Sequence, residues 1–393
     1  MISKVMERLE NLYEEMVEIR RDLHMYPELS FEEVRTPEII ANYLSDLGLE
    51  VKTGVGGRGV VATLRGNKPG KTVALRADFD ALPIQEKNQV PYKSTVPGVM
   101  HACGHDAHTA IVLAIAKALS ENTEVLEGNV VFIHQHAEEQ VPGGAIKMIE
   151  DGCLDGVDAI FAPHMENYHP VGSIAYRSGP IMAASDRFEI DIIGNGGHGA
   201  FPHHTKDSVV IGSQLVTNLQ QVISREIDPL KEAVLSIGSF HSGEGYNVIA
   251  GEASIKGTVR TFDEDVRNSI EEKIKRIVEG TCHAAGASYK FQYKRGYPAT
   301  INHEQETEIL VESAKDLLKN EQIIEIPPNM GGEDFAYFLQ KVPGSYVFFG
   351  SANPDIGAIH PYHHPEFDID EQVMLYASKI LTRTVVNYLQ NYA

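Results

Sequence analysis

The chain has 393 residues, longer than a single hydrophobic core usually grows, and 42% of them are apolar, enough to fill two. Lys and Arg number 34 against 55 Asp and Glu, a formal charge of −21 with no basic cluster, which argues against a nucleic-acid or anionic-membrane partner. The N-terminus is charged from the start, no eighteen apolar residues run together, and Cys103, Cys153 and Cys282 are too few and too scattered for a disulfide framework. A soluble protein of the reducing cytoplasm is the expectation.

Val5, Leu9, Leu12, Met16, Ile19 and Leu23 recur at helical spacing, and Thr36-Pro37 offers a cap and first-turn proline for a second helix. Apolar runs at 59–64, 72–77, 129–134 and 158–162 then alternate with helical stretches at 109–119 and 144–149. That alternation predicts an α/β domain with a mixed, mostly parallel sheet. From Ser185 the order changes to strand 188–193, helix 208–223, strands 234–240 and 254–262, helix 264–285 and strand 288–293. This is the β-α-β-β-α-β order of a ferredoxin-like α+β domain. A helix at 307–319, a strand at 345–349 and a last helix from Glu371 return to the first domain. The expected division is 1–184 and 300–393 for one domain, with 185–299 inserted.

His101, Cys103, His105, Asp106 and His108 crowd into eight positions just before an apolar helix. Any one of these histidines is better read as a core or helix-start residue, but five such donors together suit a metal. His134-Gln135-His136-Ala137-Glu138-Glu139 ends a buried-looking strand, where open α/β sheets bind ligands. Of two adjacent carboxylates, one can hold a metal while the other takes a proton from the attacking water and returns it to the leaving nitrogen. Phe161 to Met165, with His164, is read as closing another strand, and His360, His363 and His364 lie in a loop too polar for core. Mixed N, O and S donors favour zinc, and manganese also fits. Asp78 and Asp80, two apart at a strand end, share one side, where one can orient a metal-binding histidine.

Other signatures fail on context. Gly54 to Gly59 matches a dinucleotide-binding loop, but a strand follows where a helix is required. There is no Gly-x-Ser-x-Gly, and His136-Ala137-Glu138 lacks the Pro-Cys-x-x-Cys partner of a nucleobase deaminase.

Seven ordered segments together resemble the aminoacylase and amidohydrolase family of metallopeptidases, which includes hippurate hydrolases, indole-acetyl-amino-acid hydrolases and N-acetyl-diaminopimelate deacetylases. They are Arg21 to His24 with Pro27 to Leu29, Leu75 to Pro83, Met100 to His108, His136 to Glu139, Gly194 to Pro202, Met330 to Phe335 and His363 to Phe367. The resemblance implies two divalent ions per subunit (zinc, manganese or cobalt) held by Cys103, His105, Glu139, His164 and His363, with Glu138 as general base and acid. Its last motif selects His363, with His364 beside it as the alternative. Other members of the wider family carry a histidine near Asp78 and a bridging aspartate near Asp106, where this subgroup uses Cys103, so the metal stays open.

The resemblance further implies that the inserted domain dimerises, as a homodimer or a higher oligomer, and sends His198 into the neighbouring active site. Asn247 and Arg260 match positions that hold the substrate, and an amide near an oxyanion or a guanidinium near a carboxylate makes physical sense. Without the resemblance, a turn asparagine and a strand-end arginine are the ordinary readings. The expected activity is hydrolysis of an N-acyl, first of all N-acetyl, amino acid, with Asp80 and His198 assisting Glu138. A dipeptidase or carboxypeptidase is the nearest alternative, and a non-catalytic binding homologue a more distant one.

Overall fold

In a computed structural model, residues 2–392 are described and fall into two compact units. The first comprises residues 2–181, 301–327 and 334–392, and the second Met182–Thr300 and Pro328–Glu333.

The first unit is built on an eight-stranded sheet. In spatial order its strands are Glu50–Val55, Gly59–Arg65, Gly128–Gln135, Lys71–Asp78, Ala159–Pro170, Gly344–Ala352, Ser173–Tyr176 and Ile323–Glu325. The four central strands run parallel, and the first two join antiparallel, so the sheet is mixed with a parallel middle. Parallel strands buried on both faces read as continuous apolar runs, which is how Val73 to Leu75 and Val130 to Ile133 appear in the sequence. The hairpin joining the first two strands turns through Gly54, Gly56 and Gly57, all at positive φ, so the glycine-rich match is a β-turn.

Helix His105–Ser120 is apolar around nearly its whole circumference and buried accordingly. It packs against helices Tyr13–Met25 and Gln372–Asn391 as well as the sheet, and its N-terminus opens toward the strand ends. One expectation needs correction: His164 does not close its strand. The strand continues to Pro170 because Gly344–Ala352 accompanies it in parallel register beyond the point where Lys71–Asp78 stops, pairing Phe348 with His164 and Gly350 with Glu166.

The second unit carries a four-stranded antiparallel sheet in the order Ala233–Ser242, Glu252–Thr261, Ala184–Ile193, Ser288–Arg295. That is the ferredoxin-like arrangement, with helices Ser208–Glu226 and Glu264–Ala284 on one face. Asp207 caps the first helix by accepting from Val209 N and Val210 N, and Asp263 caps the second through Val266 N. Phe188, Ile190 and Ile192 alternate inward to meet Leu215, Leu219, Ile270 and Ile274. Among the described residues, no helix is long and apolar enough to cross a membrane.

Candidate metal centre

Gly104 sets the entry to the central helix. It sits at φ +86, and a Cβ there would meet Met165 Cβ at 3.0 Å, so both conformation and space favour glycine. Cys103 precedes this turn and His105 follows it, which brings both side chains to the strand ends. The His105 imidazole turns its Nδ1 to the Asp80 carbonyl at 3.0 Å and to Asp80 Oδ1 at 3.2 Å. Its Nε2 is left buried without a hydrogen-bond partner. Asp80 is itself fixed by Ser30 Oγ, which donates to Oδ2 at 2.6 Å, and by the Glu139 N–H at 3.0 Å.

Four further donors close around that free nitrogen. Glu139 Oε1, also buried without a hydrogen-bond partner, lies 3.9 Å from His105 Nε2 and 3.1 Å from His363 Nε2. Cys103 Sγ lies 3.3 Å from His164 Nε2. Donor atoms of Cys103, His105 and His164 fall within 4.8 Å of one another, as do those of Cys103, Glu139 and His363, and those of His105, Glu138 and Glu139. The first two groups share Cys103, and their mixed N, O and S donors would hold divalent ions.

The electrostatics fit cations. Burial first, and then Glu139, Glu138 and Asp78, push the Cys103 thiol well above its ordinary range, so a thiolate here needs a strong positive charge beside it. Burial by itself lowers the His105 pKa, yet Asp78, Asp80 and Glu139 outweigh it and raise the value to about 10. The carboxylates thus create a negative field centred where the donors converge. Orphaned buried donor atoms on His105 and Glu139 and a thiol that resists ionisation together match what a pair of divalent ions requires.

Around the donors lies a second layer of hydrogen bonds. Arg76 donates to Asp334 Oδ1 at 2.9 Å and pairs with Asp78. Asp78 Oδ1 accepts from His108 Nδ1 at 2.6 Å, and His108 Nε2 accepts the Met165 N–H at 2.9 Å, steadying the residue after His164. His363 stands at φ +66 and donates its N–H to the Ala102 carbonyl at 2.7 Å, tying its loop to the Cys103 turn. His101, by contrast, is buried with neither ring nitrogen hydrogen-bonded and belongs to none of the three donor groups above.

Glu138 is buried and follows Ala137, a non-glycine residue at φ +53. The Ala137 N–H donates to Glu33 Oε1 at 2.9 Å. Glu33 is wholly buried, and burial raises its pKa to about 7. Sequence reasoning missed Glu33 and Ser30, because each acts on a residue dozens of positions away. Arg76 was findable, since it alternates with Asp78 on one side of a strand.

Three of the expected site residues, His198, Asn247 and Arg260, are in the second unit. His198 is exposed, bridges to Val248, and accepts the Ala200 N–H through Nδ1 at 3.1 Å. The Gly199 N–H donates to the Asn247 carbonyl at 2.8 Å, so His198 and Asn247 flank one small ladder. Arg260 donates through Nε to the Met330 carbonyl at 3.1 Å and through Nη1 to the Val259 carbonyl at 3.1 Å.

The chain matches the description of the peptidase family M20/M25/M40 over residues 74–387 and belongs to that family. It is accordingly a hydrolytic enzyme acting on amide bonds. It is similar to YhaA of Bacillus subtilis, provisionally assigned as an amidohydrolase, at 53% identity over 99% of this chain and 98% of that one. It is similar also to a thermostable carboxypeptidase of Saccharolobus solfataricus, 42% identical over 95% of each chain. An N-acetyl-L-cysteine deacetylase of B. subtilis is 40% identical over 98% of this chain and 90% of its own. Among solved structures, the YxeP protein of B. subtilis, described as a dinuclear metal-binding M20 peptidase, superposes with a TM-score of 0.83 at 36% identity over 97% of this chain and 99% of that one.

Proposed function

We propose that the protein is a cytoplasmic, dinuclear metallo-amidohydrolase that cleaves N-acyl, first of all N-acetyl, amino acids to a carboxylic acid and a free amino acid. The observation that carries this reading is the convergence of Cys103, His105, Glu139, His164 and His363 beside Glu138. Zinc suits the mixed N, O and S donors best, with manganese and cobalt as alternatives. Bound divalent ions supply Lewis acidity toward the acyl carbonyl and acidify water. The chain's own residues do the rest.

Glu138 removes the proton from the attacking water and delivers it to the departing nitrogen, which needs one carboxylate free of any ligand duty. Asp80 holds His105 by its Nδ1 and so presents Nε2. Arg260 receives the free carboxylate of the substrate and Asn247 helps to hold it. His198, contributed by a second subunit, donates to the developing oxyanion. A homodimer formed through residues 185–299 is supported by exposed Phe201, Val210, Tyr246 and Val248 on that unit. A cytoplasmic setting agrees with three free, buried cysteines.

The carboxypeptidase relative favours one alternative, release of a C-terminal residue from a peptide by the same chemistry. A screen of metal-loaded protein against N-acetyl amino acids and unblocked dipeptides decides between them. Faster turnover of the N-acetyl series supports deacylation, and preference for dipeptides overturns it.

A further inference from the structure

Strand Ala159–Pro170 contributes His164 to the donor set and then leaves regular pairing. Gly350 of its neighbour faces Glu166 and Ala352 faces Pro170, so the strand advances four positions while its partner advances two. The surplus is a bulge at 167–169, and bulges re-aim side chains. Gly350 permits it, since a Cβ there would collide with the Pro170 carbonyl oxygen. Each bulge residue is tied down. Asn167 Nδ2 donates to the His360 and Asp368 carbonyls, both at 2.8 Å, and the Tyr168 N–H donates to Glu166 Oε2 at 2.8 Å. His169 Nδ1 lies 2.6 Å from Glu166 Oε1. On this fixed backbone Tyr168 is nevertheless 65% exposed.

The segment that Asn167 holds presents Tyr362, the residue before His363. Tyr362 is half-buried and stands edge-on to Tyr168, with ring centroids 5.7 Å apart and planes at 90°. It stands edge-on to His164 as well, at 5.6 Å and 80°, and meets the His363 ring at 5.7 Å. Two tyrosine rings thus continue outward from two of the proposed metal ligands. Their backbones are bound to each other through Asn167, so the wall they form is in place before a ligand arrives.

An open aromatic ring accepts a further ring edge-to-face or offset, a contact worth roughly two- to tenfold in affinity beyond the area it buries. A methyl group in the same place would leave most of that surface wet. The ordinary alternative is a tyrosine pair that only steadies the His363 loop. Asn167 already secures that loop through its backbone, and a purely steadying pair does not require Tyr168 to stay open to solvent.

Resting on the amidohydrolase reading above, we propose that Tyr168, backed by Tyr362, is a specificity-determining residue whose ring receives an aromatic group of the substrate, on its acyl or its amino-acid side. The test compares kcat/KM for N-acetylalanine, N-acetylphenylalanine and N-benzoylalanine in metal-loaded wild type, Tyr168→Ala and Tyr168→Phe. The wild type should prefer at least one aromatic substrate to N-acetylalanine. Tyr168→Ala should shrink that preference roughly tenfold, and Tyr168→Phe should keep it. The substrate whose advantage shrinks identifies the end that carries the ring. Each result is a ratio within one variant, so a loss of stability or metal that slows all three substrates alike cancels. A wild type indifferent to the ring, or ratios unchanged in Tyr168→Ala, overturns the proposal. Failure of the amidohydrolase reading shows differently, as a wild type that turns over none of the three. The affinities for phenylalanine and benzoate relative to alanine and acetate, measured by calorimetry, then give the same comparison without turnover, and ratios that Tyr168→Ala leaves unchanged overturn the proposal there too.

Discussion

Glu138 and Glu139 are adjacent in the chain yet differ in surroundings. The Glu139 N–H is held by Asp80, and its Oε1 faces His105 and His363, whereas Glu138 follows the positive-φ turn at Ala137. Glu138→Ala should keep its metal and lose roughly 100- to 10,000-fold in kcat, the range for a general acid-base group. Glu139→Ala should lose metal instead, and identical metal contents and defects in the two variants contradict the division of labour. Glu33 adds a subtler case. A non-glycine residue held at positive φ costs on the order of 1–3 kcal/mol and persists only where its surroundings fix it. Removing the Glu33 acceptor leaves the Ala137 N–H buried and unpaired, a further cost of about 1–3 kcal/mol. Glu33→Ala should therefore lower kcat with KM and metal content little changed, and Glu33→Gln, whose carbonyl still accepts, should restore it. Equal kcat in the two variants would rule out a positioning role.

At the scale of elements, the central helix owes its place to a polar network at its N-terminal end. Arg20 donates to Asp106 at 3.0 Å and to Asp368 at 2.7 Å, while His24 bridges Asp106 at 2.8 Å and Glu86 at 3.3 Å. Burial lowers the His24 pKa, but hydrogen bonds to the two carboxylates outweigh it and carry the value from 6.5 to about 9. A pKa raised on folding means stability that is full below pH 6.5 and lost as pH climbs through about 9. Thermal unfolding followed across that window should show Tm falling in wild type and a flatter profile in His24→Gln. Parallel profiles would show that His24 does not contribute to the pH dependence of stability.

How far the elements were legible follows from the same physics. Helix His105–Ser120 and the parallel strands announce themselves by apolar runs such as Ala110 to Ala116 and Val130 to Ile133, and the second unit by alternation such as Phe188, Ile190, Ile192. Asp78 and Asp80 were placed on one side of their strand end, and both face His105. Strand Glu50–Val55 was missed because it is a sheet edge, mostly exposed and polar. The extension beyond His164 was missed because Glu166 and His169 satisfy each other at 2.6 Å, which lets polar residues continue the strand. Glu33 was invisible for another reason: its hydrogen bond to Ala137 spans 104 positions, and only the fold brings the two together.

For the whole molecule, the proposed dimer makes the site a shared one. His198 stands on an exposed glycine-flanked ladder of the second unit, close to the exposed side chains of Phe201 and Val248. Loss of an oxyanion donor commonly costs about a hundredfold or more. Mixing His198→Ala subunits with Glu138→Ala subunits places both lesions in one site of a heterodimer and leaves the other intact, so two nearly inactive proteins should regain activity on subunit exchange. Proven heterodimers that stay inactive exclude action between subunits.

Amide hydrolysis is proposed to depend on divalent ions held by Cys103, His105, Glu139, His164 and His363. The most direct measurement strips the protein with a chelator, verifies the loss by elemental analysis, and follows release of a free amino acid from an N-acetyl amino acid before and after zinc, manganese or cobalt is restored. The stripped protein should show no turnover, and activity should recover in proportion to the metal bound. Full turnover by verified metal-free protein would contradict it.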